Sequence, residues 1–419
     1  MTPAVNRHRL LSRLKELGQI GRDAQGRLAR LALNDAEKQG RDLLVAWLRE
    51  AGLEVIVDRI GNIFGRWLAG EADAAPIMLG SHIDTVRNAG IYDGCYGVIA
   101  GLEVIDAIKL TGVTPERPII VGAFTNEEGV RYAPDMMGSL VYAGGLTVED
   151  ALASIGTDGT VLGEELARIG YAGLAEPGFV VPHAYLELHI EQGPVLAHEG
   201  VKIGAVENLQ GISWQRVTVE GNANHAGTTP MAMRCDAGQV AARVIVAVKD
   251  YAQDAEPGGV ATVGAIAFEP NVINVIPSKA VFTVDLRHPC EEELQAAERA
   301  LAEKLAALEV EFGANIKVER LSRFEPVTFD TDLCGMIEEA ALDRQLAVRR
   351  ITSGAGHDAQ MIARICPSAM IFVPSRDGIS HNPREHTEPN DLLAGADVLC
   401  DVVQRLVGTH PSLRSHAPI

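Results

Sequence analysis

Two adjacent acidic residues, Glu127 and Glu128, follow an apolar segment that runs from Pro118 to Phe124. Adjacent like charges repel each other, and a carboxylate at the end of a buried strand loses hydration. If Glu128 is a ligand of a divalent cation, its charge is neutralised, and Glu127 can stay outside the coordination sphere to carry a proton. For an isolated Glu-Glu pair, the alternative is an acidic strand end in solvent.

A histidine and an aspartate stand two residues apart in GSHIDTVRNAGIYDG, residues 80–94. Because side chains alternate along a strand, His82 and Asp84 point to one face, as a metal ligand and its orienting carboxylate would. Asp93 lies in a glycine-flanked loop that can return towards them. Taken alone, a His-x-Asp pair on a strand is more often structural.

Two more histidines lie on or just after other apolar segments. The alternation in AYLELHIEQGPVL places Glu187, His189 and Glu191 on one face of a strand. His381 lies in GISHNPREHTEPND, a loop that follows an apolar strand. Each residue could simply be hydrogen-bonded. Together, imidazoles, a carboxylate able to bridge and a Glu-Glu pair at strand ends suit two divalent ions of the zinc type.

Strands and helices must bring these segments together. Apolar runs predict strands over 54–58, 62–67, 77–81 and 119–124, and helical spacing predicts helices over 35–51 and 97–110. Strands that alternate with helices predict an α/β fold. Its site is expected at the carboxyl ends of the strands.

Residues 212–320 follow a different order: strand, helix, strand, strand, helix, strand. This is the βαββαβ pattern of a ferredoxin-like domain. Strand and site signals resume after Phe329 and continue to residues 369–375, so the module is predicted to be an insertion. The predicted domains are 1–210 together with 328–419, and the inserted 211–327.

Composition limits the possible classes of protein. A chain of 419 residues suggests two domains, and 47% hydrophobic with 22% charged residues is typical of a globular protein. The net charge of −19 argues against a nucleic-acid partner. The 6 cysteines lack paired metal spacing, and neither a signal peptide nor an apolar membrane span is evident. A cytoplasmic protein without a membrane partner is therefore expected.

Several segments in order resemble the amidase branch, also called hydantoinase/carbamoylase, of the two-metal aminoacylase and carboxypeptidase superfamily. They are GSHIDTVRNAGIYDG, FTNEEGVRYAPDMMGS, HIEQGPVL, GNANHAGTTPM, NVIPSKAVFTVDLRH, SGAGHDAQ and SHNPREHT. This branch holds N-carbamoyl-L-amino acid hydrolases, allantoate amidohydrolases and β-ureidopropionases. The resemblance runs from about residue 10 to 410 and is specific for the branch.

The resemblance implies a metallopeptidase-like catalytic domain, in which helices flank a mixed sheet, and an inserted ferredoxin-like lid and dimerisation domain. Glu127 would be the general base and Asp84 the partner of His82. Two divalent ions are implied; zinc is expected, but Mn, Co or Ni also suit imidazole and carboxylate ligands. The implied ligands are His82, Asp93 and His189 for one ion, and Asp93, Glu128 and His381 for the other.

Substrate contacts are implied mainly in the inserted domain. Arg287 can hold a carboxylate through two parallel N–H groups, and His225 and Asn274 can donate hydrogen bonds to a carbonyl or oxyanion. Gln192 and the loop that contains Gly356 are further candidates, although plain turn roles stay open for them. A homodimer is implied too, in which the His225 loop reaches the neighbouring subunit's site.

The predicted activity is hydrolysis of the non-peptide C–N bond of an N-carbamoyl amino acid or related ureido acid by a metal-activated water. Allantoate or carbamoyl-β-alanine specificity stays open, because an arginine clamp reads the carboxylate that these compounds share. An aminoacylase or dipeptidase is a second possibility. A non-catalytic binding module on the same scaffold is disfavoured by the complete ligand set. Cys95, directly after the predicted bridge, has no role that the sequence explains.

Overall fold

The computed structural model describes residues 4–71, 73–254 and 258–408. Its α-helices are α1 (Arg7–Leu17), α2 (Asp35–Glu50), α3 (Cys95–Leu110), α4 (Met137–Tyr142), α5 (Val148–Leu152), α6 (Leu162–Ile169), α7 (Val195–Glu199), α8 (Ala237–Asp254), α9 (Glu291–Phe312), α10 (Thr331–Asp343), α11 (Asp358–Ile362) and α12 (Pro389–Val407). Short 3₁₀ helices span Met231–Met233 and Arg376–Gly378.

Its strands are β1 (Glu54–Val57), β2 (Ile63–Trp67), β3 (Ile77–His82), β4 (Ile119–Phe124), β5 (Ala184–Ile190), β6 (Ile203–Leu209), β7 (Gly211–Glu220), β8 (Val260–Thr262), β9 (Ile266–Glu269), β10 (Lys279–His288), β11 (Asn315–Phe324), β12 (Val327–Thr328), β13 (Val348–Ser353) and β14 (Ser368–Val373). Contacts divide the described residues into two compact units. The first runs to Glu207 and resumes at Phe329, and the second is Asn208–Thr328.

The first unit is built on a mixed sheet in the order β1-β2-β4-β3-β5-β14-β6, with β13 also paired to β6. The central neighbours β4, β3, β5 and β14 are parallel, whereas β1, β2 and β6 pair in antiparallel fashion. Every residue of the four parallel strands is buried. They are therefore covered on both faces, as parallel strands in α/β proteins usually are. The α/β prediction for this region is confirmed.

Helix α3 lies against this sheet and is apolar on nearly all sides. It packs on β3, β4 and β5 and also contacts α12. A helix that is hydrophobic all round belongs in a core. It begins at Cys95, earlier than the predicted start at 97, so its first turn directly follows the Asp93 loop.

The second unit is an antiparallel sheet in the order β11-β7-β10-β8, with β9 also paired to β10. The buried residues of β10 alternate strictly, and this buried face packs on α8 and α9. The strand predicted over 260–268 is in fact two strands. Thr262 pairs with Asp285 and Ile266 pairs with Phe282, so one strand has an extra residue between these pairs. An irregularity of this kind is frequent near glycine, here Gly264.

Among the helices of the described ranges, none has both the length and the apolar character needed to cross a bilayer.

A buried charge cluster joins α1 to α3. The side chain of Glu103 is fully buried and accepts hydrogen bonds from Arg9 Nε at 2.8 Å and Arg13 Nη1 at 2.6 Å. The guanidinium of Arg13 lies over the Trp47 ring, 5.6 Å from its centroid. Removing one partner of a buried pair is costly because the other charge stays buried.

We expect Glu103→Ala to lower the free energy of unfolding by about 3 kcal/mol, because Arg13 would keep only the more distant Asp106. Denaturant unfolding followed by circular dichroism measures this change. Glu339→Ala is the control, since it removes an exposed carboxylate that pairs with Arg405 and should leave the transition nearly unchanged. Equal shifts in the two variants would contradict this account of the cluster.

Candidate metal centre

The four predicted ligand segments meet at one edge of the sheet in the first unit. His82 ends β3, Glu127 and Glu128 follow β4, His189 is the sixth residue of β5, and the loop after β14 carries His381. Because these strands are parallel neighbours, their carboxyl ends lie side by side. This topology explains why residues far apart in the sequence come together.

The Asp93 loop lies directly against the His82 ring. Gly94 has φ of +64°, and a Cβ at this position would lie 2.2 Å from His82 Nε2. Only glycine combines this backbone conformation with so close an approach. The close approach brings Asp93 next to the strand ends.

Asp93 presents one carboxylate oxygen to each predicted ligand group. Its Oδ1 lies 3.2 Å from His189 Nε2 and 3.7 Å from His82 Nε2, while Oδ2 lies 3.2 Å from His381 Nε2. Glu128 Oε2 lies 3.5 Å from His381 Nε2. Within each group of three, the candidate ligand atoms lie within 4.8 Å of one another. A carboxylate that bridges two cations has this arrangement.

The hydrogen bonds of His82 and His189 suit a metal. His82 Nδ1 donates to the main-chain oxygen of Asp84 at 3.0 Å, and His189 Nδ1 donates to that of Ile190 at 2.8 Å. A backbone partner at Nδ1 fixes the tautomer and leaves the Nε2 lone pair for a metal. In both rings Nε2 faces Asp93 Oδ1, and His189 Nε2 also accepts a hydrogen bond from the Gly94 backbone nitrogen at 3.0 Å.

Burial disfavours the ionised form of the carboxylates at this edge of the sheet. It raises the pKa of Glu127 well above its usual range and, with Asp93 nearby, that of Glu128 to about 8. Hydrogen bonding to Asp93 raises the pKa of His381 to about 9. Divalent ions bound between these groups would offset the cost of ionising the buried carboxylates. The donor set therefore fits such ions.

The Asp84 carboxylate lies closer to the backbone of the Glu-Glu turn than to His82. Its oxygens lie 3.2 Å from the backbone nitrogens of Glu127 and Glu128 and accept their hydrogen bonds, whereas the nearest carboxylate oxygen is 3.7 Å from His82 Nδ1. The main-chain oxygen of Asp84 holds the ring. The carboxylate fixes the Glu-Glu turn through two amide donors, and its role as the partner of His82 stays a prediction.

Glu127 is buried beside the first ligand group. Its Oε2 lies 3.4 Å from His82 Nε2, and its main-chain oxygen accepts a hydrogen bond from Met136 at 2.7 Å. Asn126 before it has φ of +56°, and its side chain donates to the main-chain oxygens of Tyr132 and Pro134. The turn is therefore held from both sides, which fixes the position of the carboxylate.

Glu187 and Glu191 have different surroundings. Glu187 accepts hydrogen bonds from Ser81 and Tyr185 behind the ligands, and with His189 and His357 it forms a third group of possible ligand atoms. Glu191 accepts hydrogen bonds from the backbone amides at the start of α7. Strand β5 ends at Ile190, so the alternation that predicted a shared face no longer applies to Glu191.

Gln192 and Gly356 lie in the same unit. Gln192 has φ of +57°, and its Nε2 donates to Asp93 Oδ2 at 2.8 Å, so it contacts the predicted bridge itself. Gly356 lies in the loop before α11, where an added Cβ would come 3.0 Å from the Met136 side chain. Sequence reasoning missed Ser380, which contacts Gln192, and Glu385, which contacts Ser380, although both lie in the segment that carries His381.

The structure gives the Cys95 thiol a role as a buried hydrogen-bond acceptor. The fully buried Arg30 donates from Nη2 to Cys95 Sγ at 3.0 Å, and its other donors bind the main-chain oxygens of Leu17, Ile20 and Ile83. Burial raises the pKa of the thiol. Cys95 therefore joins the start of α3 to the segments around β3 and α1.

The second unit holds the other three predicted residues. His225 is exposed, and its Nδ1 accepts hydrogen bonds from Gly227 and Thr228, so Nε2 carries the proton and can donate. Its loop is joined to that of Asn274 by a hydrogen bond from Ala226 to the Asn274 main-chain oxygen. Both predicted donors therefore lie on adjacent backbone segments.

Arg287 is engaged within its own strand. Its Nε and Nη2 donate to the Asp285 carboxylate at 3.0 and 2.8 Å, and its guanidinium lies over the Trp214 ring, 5.9 Å from the centroid. Asp285 therefore holds the Nε edge of the guanidinium, and the indole packs against one face.

Known proteins resemble this chain over nearly its whole length. The N-carbamoyl-L-amino-acid amidohydrolase of Rhizobium meliloti is 40% identical over 95% of this chain and 96% of its own length. The allantoate amidohydrolase of Bacillus subtilis is 34% identical over 93% of this chain and 95% of its own length. The crystal structure of a hydantoinase/carbamoylase family amidase from Burkholderia multivorans has a TM-score of 0.93 and 44% identity, and the match covers 97% of this chain and 99% of that one.

The model for peptidase family M20/M25/M40 matches residues 78–405, which include every strand end and loop of the candidate metal centre. The resemblance inferred from the sequence segments is confirmed by this match and by the near full-length relatives. The chain belongs to peptidase family M20/M25/M40 and, within it, to the hydantoinase/carbamoylase amidases.

Proposed function

We propose that this chain is a metal-dependent amidohydrolase that cleaves the non-peptide C–N bond of an N-carbamoyl amino acid or a related ureido acid. The proposed substrates are linear amides, and the relatives are named N-carbamoyl-L-amino-acid amidohydrolase and allantoate amidohydrolase. The observation that carries the proposal is the Asp93 carboxylate, which offers one oxygen to each of two ligand groups beside the buried Glu127. An aspartate with a purely structural role would not need histidines from two separate ligand groups at its two oxygens.

The two groups suit a pair of divalent ions, with zinc as the expected metal. When bound, such ions lower the pKa of a water molecule and polarise the carbonyl of the substrate. The ligands would be His82, Asp93 and His189 for one ion and Asp93, Glu128 and His381 for the other.

Glu127 is suited to carry the proton. It lies beside a candidate ligand atom without belonging to either group of three, and its backbone is held by Asp84 and Met136. Its carboxylate takes a proton from the attacking water and returns it to the leaving nitrogen as the C–N bond breaks. An N-carbamoyl amino acid would then give the amino acid, carbon dioxide and ammonia.

The second unit supplies the proposed recognition of substrate. Arg287 binds the carboxylate that all these ureido acids share, and Asp285 holds the guanidinium in a fixed orientation for that purpose. His225, with its proton on Nε2, and Asn274 donate hydrogen bonds to the substrate carbonyl. We propose a homodimer as the working assembly, as the resemblance to the family implies.

The first test is ammonia release from allantoate, N-carbamoyl-β-alanine and several N-carbamoyl-L-amino acids, with amine release from an N-acetyl amino acid measured alongside. We expect one ureido acid to be cleaved, activity to disappear on removal of metal by a chelator, and zinc or manganese to restore it. Cleavage of the N-acetyl compound alone would favour an aminoacylase. If the metal-loaded protein cleaves none of these compounds, the proposal is wrong.

Glu127→Gln tests the proton carrier. We expect kcat to fall about 100- to 10,000-fold, because the amide cannot accept the proton, while zinc still binds. Steady-state kinetics and metal content of the purified variant measure the two effects. Glu176→Gln, at an exposed pair with Arg59, is the matched control. A kcat close to that of the unaltered protein would exclude Glu127 as the general base.

Arg287→Lys tests recognition of the carboxylate. Lysine keeps the charge but not the two parallel donors, so we expect kcat/KM to fall at least about tenfold, chiefly through KM. Kinetics with the preferred ureido acid and with its carboxamide analogue provide the measurement. If the variant loses equal activity on both compounds, Arg287 does not bind the carboxylate.

A further inference from the structure

Glu385 is a buried carboxylate that belongs to neither ligand group. It lies in the loop that carries His381 and contacts the loop that carries Asp93. Its side chain is 6% exposed. Its Oε1 accepts hydrogen bonds from the backbone nitrogens of Tyr92 at 2.9 Å and Asp93 at 3.3 Å. Its Oε2 accepts one from Ser380 Oγ at 3.1 Å. One side chain thus joins two loops almost 300 positions apart, the Asp93 partner being 292 residues away in sequence.

The backbone around residue 90 is shaped to this carboxylate. A Cβ at Gly90 would lie 2.1 Å from Glu385 Oε1, so any larger residue here would displace the carboxylate or the loop. The contact is therefore tight, and a shorter side chain at 385 could not keep it.

The second loop also needs support. His381 has φ of +52°, a left-handed conformation that costs a residue other than glycine roughly 1 kcal/mol or more. Ser380, directly before it, lies 3.2 Å from Asp93 Oδ2 and 3.1 Å from Glu385, and it accepts a hydrogen bond from Gln192 Nε2 at 3.2 Å. A conformation that is unfavourable in isolation persists where surrounding contacts fix it.

We propose that Glu385 is a positioning residue that holds the loops of Asp93 and His381 at the separation required for both to bind the second metal ion. It acts through the backbone amides of residues 92 and 93 and through the Ser380 hydroxyl. The inference rests on the metal centre proposed above but not on the identity of the substrate. Residues that orient metal ligands from outside typically change metal affinity or activity 10- to 100-fold when altered.

Three substitutions at one position separate geometry from charge. Glu385→Gln keeps the length, since the amide oxygen can accept from residues 92 and 93 and the NH₂ group can donate to Ser380 Oγ. Glu385→Asp keeps the charge but is one methylene shorter. Glu385→Ala removes both. The matched control is Glu388→Gln. Glu388 lies three residues after Glu385 and forms an exposed ion pair with Arg376.

The measurement is zinc affinity of the metal-free protein, by titration against a chromophoric chelator, with the unfolding transition of every variant recorded. We expect the Asp and Ala variants to bind one of the two zinc ions, the one that Asp93, Glu128 and His381 would hold, about 10- to 100-fold less tightly. The Gln variant should stay within about threefold of the unaltered protein. The Glu388→Gln control should not change.

Two outcomes would overturn the inference. If Glu385→Gln loses as much affinity as Glu385→Ala, the charge matters and not the position. If the folded Asp and Ala variants bind zinc normally, Glu385 does not hold the loops. Should the Ala variant fail to fold, Ser380→Ala replaces it, and unchanged zinc affinity there would count against the proposal. If the unaltered protein binds no zinc, both the proposed metal centre and the role of Glu385 are wrong. If it binds zinc but cleaves none of the tested compounds, only the proposed substrate is wrong.

Discussion

The shared carboxylate of Asp93 is the constraint on which the first unit depends. One oxygen faces His82 and His189 and the other faces His381, so the position of a single side chain sets the geometry of both ligand groups. The surrounding carboxylates are buried, and their pKa values are raised because water cannot stabilise their charges. Cations bound between these groups would offset that cost. The site therefore holds carboxylates that are costly to ionise without a cation, and it holds them in a fixed geometry.

The rest of the unit holds this carboxylate in place from several directions. Gly94 allows its loop to lie against His82, and the buried helix α3 begins one residue later. Arg30 binds the first residue of that helix through the Cys95 thiol. Groups on several segments thus limit the movement of one aspartate, and such preorganisation suits a hydrolytic metal centre.

Much of this arrangement could be predicted from the sequence. Apolar runs located the parallel strands, and polar residues just past them located the edge where histidines and carboxylates meet. The assignment of these side chains as metal ligands stays a prediction. Periodicity failed where local geometry changes, at Glu191 beyond the end of β5 and at the extra residue near Gly264. The contacts of Asp84 with two backbone amides, and of Glu385 with a distant loop, depend on tertiary packing that no spacing pattern contains.

The order of the strands in the sequence has a consequence for biosynthesis. The edge that gathers His82, Glu128, His189 and His381 is complete only when β14 pairs with β5, and residues 208–328 lie between these strands in the sequence. A ribosome makes the chain from the N-terminus, so the second unit is synthesised before the last ligand emerges. Nascent chains thus expose His82 and Asp93 without their final partner. If these residues bind metal as proposed, the metal can enter the complete centre only near the end of translation, which would make its acquisition a late step in maturation.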